Sequence, residues 1–318
     1  MAEQRVAARV GGHNLSLSNL DKVLWPRDGY TKRDLIGYYQ NVAKVMIPYL
    51  RGRPLTRERF PNGVDGESFF EKNMPKGMPD WVDRVTVGSP EGHRSKVTYV
   101  VCNDEASLVY LANLAAIVLH IWTSKIGSLQ DPDFIFFDLD PGERCTLKTL
   151  AKVTLAVRDL LKEIGLSPLV KTSGGMGLHV VLPLAPGHTY GPVKIFAELI
   201  AHRIAAALGK LVTLERMIAN RDATAVYFDY VQVGHGKTMV APYSVRARDA
   251  APVSWPLAWE EVEAFERSRA PVPADVFAKY TIRTVPKALE KEGDRWSGRS
   301  WKPAKLESAI GRARKLWR

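Results

Sequence analysis

Two carboxylates one residue apart give this chain its sharpest chemical signal: Phe136-Phe137-Asp138-Leu139-Asp140-Pro141. In a strand, side chains alternate faces, so Asp138 and Asp140 point one way and Leu139 the other. Like charges held side by side need water or a cation between them. Hard oxygen ligands with open positions suit Mg2+ or Mn2+, with a phosphate completing the shell. Asp-Pro-Gly is also good turn chemistry, so the pair by itself leaves a plain turn as the alternative.

Three further segments supply groups that match. Thr172-Ser173-Gly174-Gly175-Met176-Gly177-Leu178-His179 is a glycine turn between two strands. Such glycines let the backbone approach a ligand and turn N–H groups toward it, with Ser173 and His179 as flanking donors. An ordinary hairpin fits the same residues. A Walker A loop does not, because no Gly-Lys-Ser/Thr follows and the next element is a strand. Val226 to Tyr230 places one acid, Asp229, in an apolar strand, which is costly unless it is paired or metal-bound. Ala241 to Arg248 sets Arg246 and Arg248 on one face at strand spacing; two guanidinium forks suit a triphosphate, or simply a solvated edge. Together the groups point to nucleotidyl transfer, with two ions clamping the attacking and leaving oxygens and cations neutralising polyphosphate.

The elements that must position these groups follow from pattern. Thr31 caps a helix with apolar residues Leu35, Ile36, Tyr39, Val42, Val45 and Met46 at helical spacing. Val97–Cys102 reads as a strand and Ala106–His120 as one buried helix. Phe134–Phe137 is a strand, Thr146–Ile164 a helix ended by Gly165, and Val170–Thr172 and Val180–Leu182 are strands. Val193–Leu208 is helical; Ala225–Tyr230 and Met239–Ala241 are strands. Alternating strands and helices suit an α/β or α+β sheet of mixed direction. A boundary is expected near residues 91–97, and a peripheral Pro- and Trp-rich segment after about residue 250.

Composition narrows the classes. The 318 residues are enough for about two compact units. With 46% hydrophobic and 25% charged residues the chain is neither disordered nor collagenous. Apolar runs such as Leu111–Ile121 fall short of the roughly 18 residues of a membrane span, and no apolar secretory segment follows Met1. A cytoplasmic protein without a membrane partner is expected. Two cysteines, Cys102 and Cys145, cannot make a disulfide framework or a four-cysteine zinc site. A net charge of +11 favours a polyanionic partner. Nine of the basic residues, against three acids, fall between Lys291 and Arg318, with Trp296, Trp301 and Trp317 among them. Those rings either stack on bases or dock an amphipathic helix.

In combination and order, these motifs resemble the polymerase domain of bacterial DNA ligase D, in the archaeo-eukaryotic primase superfamily. The resemblance runs from Leu17 to about residue 262. It rests on Leu20-Asp21-Lys22-Val23-Leu24-Trp25-Pro26, Arg53-Pro54-Leu55-Thr56, Phe69-Phe70-Glu71-Lys72, the Asp138 strand, Thr172-Ser173-Gly174, Gly177-Leu178-His179, Asp229-Tyr230-Val231-Gln232 and the Ala241–Arg248 stretch. It implies an α+β primase-polymerase core with mixed and antiparallel sheets flanked by helices. It also implies template-directed nucleotide addition in non-homologous end joining, with ribonucleotides and manganese favoured. Asp138, Asp140 and Asp229 would ligate two Mn2+ or Mg2+ ions. His120, on the helix before the Asp strand, would contact the incoming nucleotide. Ser173, Gly174, His179 and Arg246, with Arg221 and Arg248 nearby, would hold the nucleoside triphosphate. Lys22 and Lys32 would grip a 5′-phosphate, and Phe69 and Phe70 would stack on template bases.

The resemblance further implies a catalytic domain over 1–262, divided into about 1–95 and about 96–262, followed by a basic segment, 263–318. The expected partners are DNA with a 5′-phosphate, an NTP or dNTP, Ku and a separate DNA ligase, in the cytoplasm at the nucleoid. The chain would work as a stand-alone polymerase. Two residues depart from the family pattern: Met176 where many relatives have Lys, and Val233 where Asn is common. Weaker phosphate binding, or compensation from Lys237 or His235, is expected there. The rival readings are a primase that starts chains de novo and a catalytically weak DNA-end scaffold.

Overall fold

A computed structural model describes residues 5–88, 96–268, 270, 277 and 279–316. The expected boundary at 91–97 falls largely outside them, as does Trp317. The chain opens with an antiparallel hairpin, β1 (Arg5–Val10) and β2 (His13–Ser18), followed by a short ladder of β3 (Val23–Trp25) and β4 (Tyr30–Thr31). Helix α1 (Lys32–Leu50) begins at the expected cap. Thr31 Oγ1 accepts from the Asp34 N–H, and the Asp34 carboxylate accepts from the Thr31 N–H. Next come β5 (Pro54–Arg59), β6 (Phe69–Glu71), β7 (Arg84–Gly88), β8 (Lys96–Val101), α2 (Glu105–Asn113) and β9 (Ala116–Trp122). They are followed by β10 (Phe134–Pro141), α3 (Leu147–Glu163), β11 (Leu169–Thr172), β12 (Leu178–Pro183), α4 (Tyr190–Leu208), β13 (Val212–Thr213) and β14 (Val226–Asp229). The chain finishes with β15 (Thr238–Val240), β16 (Pro256–Leu257), α5 (Trp259–Glu266), α6 (Val285–Glu292) and α7 (Leu306–Leu316).

Two compact units result, each built on one larger sheet. The first takes Met1–Ile126, Thr238–Ser254 and Ala278–Gly293. Its sheet runs β15-β9-β5-β8-β7, with β6 also on β5. Helices α1 and α2 pack together in this unit, and the Tyr39 hydroxyl reaches from α1 to the Ile117 carbonyl at 2.7 Å. The second unit takes Gly127–Lys237, Trp255–Phe277 and Asp294–Arg318. Its sheet runs β13-β14-β10-β12-β11-β16, antiparallel except for β13 beside β14. Helices α3 and α4 pack against this sheet and each other, and α5 packs on α3. Residues 263–318 contribute to both units. The sheets are mixed and antiparallel with flanking helices, the expected α+β class.

Two expected elements differ. Ala106–His120 is not one helix: α2 ends at Asn113, Ala115 takes φ +55°, and β9 carries the rest. Residues 116–119 are wholly buried, and a run apolar on every side has no period to separate helix from strand. His120 is therefore a strand residue, set between Thr56 and Val240. Arg246 and Arg248 do not lie on an edge strand. After β15 the chain bends at Tyr243 (φ +67°), and the Arg248 N–H closes a tight turn on the Arg246 carbonyl at 2.9 Å. Of the tail's tryptophans, the two described dock rather than stand clear. Trp296 is buried, and the half-buried Trp301 meets Phe134 edge-on with centroids 6.0 Å apart.

Candidate active site

In the second unit the strand register gathers the acids. Asp138 on β10 lies directly opposite Asp229 on β14, and Asp140 opposite Tyr227. Directly opposed residues share a sheet face, so all three carboxylates do too. On its other side Asp138 faces His179 of β12, whose Nε2 lies 3.1 Å from Asp138 Oδ1. Lys171 of β11 stands opposite His179. Lys171, His179, Asp138 and Asp229 thus form one row across four strands. Lys171 is wholly buried, and its ammonium donates to the Thr172 carbonyl at 3.2 Å. The reverse face holds Phe137, Leu139 and Phe228, all wholly buried, with the two phenylalanine rings 5.5 Å apart.

The donor set suits a hard divalent ion: three carboxylates on one face, half-buried or exposed. Among the described residues no three His, Cys, Asp or Glu side chains are already gathered as a ligand cluster. The side chains are engaged locally: Asp138 near His179, and Asp229 accepting from the Val231 N–H and the Gln232 side-chain amide, each at 3.1 Å. The register makes their backbones neighbours on one face of the sheet.

The glycine turn is pinned against the acidic strand. A Cβ on Gly177 would sit 2.5 Å from the Leu139 carbonyl oxygen and 3.2 Å from Asp140 Oδ1. Gly174 takes φ +72°. Two of the turn's N–H groups are turned inward and not toward a ligand. The N–H groups of Gly175 and Gly177 both donate to Ser173 Oγ, at 3.0 and 3.1 Å. The serine's own O–H, held in place by those two bonds, is left to donate to a phosphate.

Arg221 follows a short turn and spans back to donate to the Glu215 and Arg216 carbonyls, at 2.8 and 2.9 Å. Its guanidinium lies over the Tyr227 ring, 3.4 Å from the centroid. Burial, and then the Asp229 charge, push the Tyr227 phenol up to about 12. Its place two residues before Asp229, opposite Asp140, puts Tyr227 on the acidic face. Met176 is half-buried and Val233 buried. His235 lies edge-on to Tyr190 at 5.8 Å, and burial lowers its pKa, so it stays neutral near pH 7. Lys237 is exposed.

The first unit holds the other expected residues. His120 and Phe70 are neighbours, with ring centroids 5.7 Å apart. Phe69 and Phe70 are exposed on β6, and the Arg59 guanidinium lies 5.3 Å from the Phe69 centroid. Glu71 anchors this strand by salt bridges to Arg57 at 3.0 Å and Arg59 at 3.2 Å. Glu58, opposite Phe70, has its pKa raised by burial, with the Arg246 charge opposing. Arg248 is exposed, and its carbonyl accepts from the Trp25 indole at 3.0 Å. The two lysines differ. Lys22 is exposed, with Nζ on Asn62 Oδ1 at 3.1 Å, whereas Lys32 is buried and donates to the Asn113 carbonyl at 2.8 Å.

The sequence pattern of the LigD primase-polymerase domain matches residues 31–296. The multifunctional non-homologous end joining protein LigD of Mycolicibacterium smegmatis is 37% identical over 248 residues, 77% of this chain and 32% of that protein. The bifunctional non-homologous end joining protein LigD of Bacillus subtilis is 35% identical over 280 residues, 88% of this chain and 43% of that protein. The chain therefore spans about a third to two fifths of the length of these relatives. The solved polymerase domain from Mycobacterium tuberculosis ligase D, in complex with DNA, matches with a TM-score of 0.80 at 34% identity. That match covers 91% of this chain and 99% of that one. The family match and the fold define a DNA-directed nucleotidyltransferase of the archaeo-eukaryotic primase superfamily. Within it, the chain belongs to the LigD primase-polymerase domain family.

Proposed function

We propose that this chain adds nucleotides to DNA under the direction of a template, filling short gaps and extending ends in non-homologous end joining of double-strand breaks. Ribonucleotides are the preferred substrates. The observation that carries the reading is the register that sets Asp138 against Asp229, with Asp140 on the same face. These three would hold two Mn2+ or Mg2+ ions, whose chemistry is to stabilise charge on the attacking and leaving oxygens. The primer 3′-hydroxyl attacks the α-phosphorus in line, and pyrophosphate leaves.

The chain's own groups do the rest. His179, beside the Asp138 carboxylate at 3.1 Å, helps hold the triphosphate. Ser173, fixed by its two N–H donors, gives its O–H to a phosphate oxygen, and Gly174 lets the turn close. Arg221, Arg246 and Arg248 neutralise the triphosphate. His120 reads a ribose hydroxyl, and Phe69 and Phe70 stack on template bases. Lys32 holds a fixed charge, and Lys22 supplies the mobile one, toward a 5′-phosphate across the gap. In this reading residues 1–262 are the catalytic domain, and the basic segment 263–318 adds charge toward DNA. Ku and a separate DNA ligase are the partners, in the cytoplasm at the nucleoid.

Primer extension on gapped DNA carrying a 5′-phosphate tests this. Extension is expected, weaker without that phosphate, and abolished by Asp138→Ala. Unchanged extension by that variant overturns the assignment; indifference to the 5′-phosphate redirects it to de novo priming.

A further inference from the structure

The bend that carries Arg246 and Arg248 in the first unit is strained, and its shape is set from outside. Ala250 and Ala251 take φ +65° and +47°, left-handed values that a residue with a Cβ keeps only where its surroundings hold it there. The holding comes from the turn after β3. The Asp28 carboxylate accepts from the Ala250 N–H at 2.7 Å, and the buried Trp25 indole donates to the Arg248 carbonyl at 3.0 Å. Arg27 also pairs with Asp249 at 2.6 Å, but both side chains are mostly exposed, so that contact holds little. The same segment begins at Lys22, whose Nζ donates to Asn62 Oδ1 at 3.1 Å and whose carbonyl accepts from the Lys32 N–H at 2.8 Å. Between these ends the Leu24 carbonyl accepts from the Val64 N–H, and the Trp25 carbonyl from the Gly29 N–H, each at 2.8 Å. One short, well-bonded segment thus joins an exposed cation at its start to the clamp on the arginine bend at its end.

We propose that Asp28 is a positioning residue for the arginine bend, and that the segment from Lys22 to Asp28 couples the 5′-phosphate site to the nucleotide pocket. A phosphate drawn between exposed Lys22 and buried Lys32 ties the start of β3 to the head of α1. The clamp at the other end then holds Arg246 and Arg248 where they meet a triphosphate, so a 5′-phosphate on the DNA lowers the nucleotide KM. Such coupling is reciprocal: a bound nucleotide tightens the grip on 5′-phosphorylated DNA by the same factor. The proposal deepens the gap-filling reading and rests on the roles that reading gives Lys22, Lys32, Arg246 and Arg248.

The test is the nucleotide KM for extension on two gapped DNAs, one ending in a 5′-phosphate and one in a 5′-hydroxyl, with affinity for each DNA and melting measured alongside. In the parent the 5′-phosphate is expected to lower KM about three- to tenfold, the range that one hydrogen bond supplies. Asp28→Ala should bring that ratio to about one while melting close to the parent. Asp28→Asn, whose amide oxygen can still accept from the Ala250 N–H, should restore it. An Asp28→Ala ratio equal to the parent's overturns the proposal, as does a lost ratio accompanied by a large fall in melting temperature. An Asp28→Asn ratio as low as that of Asp28→Ala overturns it too, because charge and not the hydrogen bond would then be responsible. The parent separates this proposal from the reading beneath it. Tighter binding of the 5′-phosphorylated DNA with one nucleotide KM on both DNAs overturns the coupling alone; equal binding of the two DNAs overturns the end-joining reading, and the coupling with it.

Discussion

Replacing Gly177 with alanine sets two rigid parts of the site against each other. The added Cβ would stand 2.5 Å from the Leu139 carbonyl oxygen, where real Cβ atoms essentially never come within 3.0 Å. Turn and strand must part by about 0.5 Å to reach that limit and by about 0.9 Å to reach ordinary contact. Neither side yields easily. Gly177 is tied to Ser173 through its N–H and its carbonyl, and Leu139 is paired with Leu178 and Phe228. Forced overpacking of this kind costs about 1–3 kcal/mol of stability. The displacement falls on Asp140 and Ser173, and a misplacement near 1 Å costs about a hundredfold in rate. Single-turnover extension at saturating nucleotide reads the second effect and thermal melting the first. Gly37→Ala is the control: inside α1, with nothing within 4 Å of its Cβ, it should stabilise by about 0.5–1 kcal/mol. If Gly177→Ala extended within about threefold of the parent and melted unchanged, the turn would not be pinned against β10 and the reasoning would fail.

Two further outcomes follow from burial. Glu71→Ala strips a fully buried Arg57 of its carboxylate and should cost about 3 kcal/mol in urea unfolding, the Asn73 carbonyl at 2.8 Å keeping the loss at the low end; a change under about 1 kcal/mol would show the pair to be solvated. Cys102 and Cys145 are buried, and burial pushes both thiols up, Cys145 to about 11. At pH 8 about one Cys145 in a thousand is thiolate, so a disulfide-exchange reagent should label neither cysteine before unfolding, and labelling of folded protein within minutes would contradict this.

What was readable in the sequence was whatever carried its own local signal. Thr31 with Asp34 three residues on marks a helix start, and the structure shows the reciprocal cap. The Phe134–Phe137 run between prolines and the glycine turn flanked by short apolar runs are likewise local. Elements fixed by distant contacts were not readable. The break between α2 and β9 has no proline or glycine to announce it; Ala115 takes the left-handed conformation instead. The bend that carries Arg246 and Arg248 is set by the Tyr38 hydroxyl on the Tyr243 carbonyl and the Trp25 indole on the Arg248 carbonyl, both more than 200 residues apart in sequence. The glycine turn was placed correctly, but its N–H directions depend on where the Ser173 hydroxyl settles. A period of two puts Tyr227 on the face of Asp229, and the register against Asp140 shows it there.

The row Lys171, His179, Asp138, Asp229 shows why the acidic centre and the core of its sheet stand or fall together. These residues come from four strands and meet only because each ladder holds one register. A one-residue slip of β14 would turn Asp229 to the other face and bring Phe228 onto the acidic one. That register is held by the opposite face, where Phe137, Leu139 and Phe228 are wholly buried. Burial of those apolar side chains, at about 1.5–3 kcal/mol each, is what keeps like charges side by side against their repulsion. Coulomb repulsion between two carboxylates about 5 Å apart is of order 3 kcal/mol at an effective dielectric near 20, comparable to one such side chain. The apolar pairs therefore outweigh the acids they align, and the strain is left as affinity for a cation.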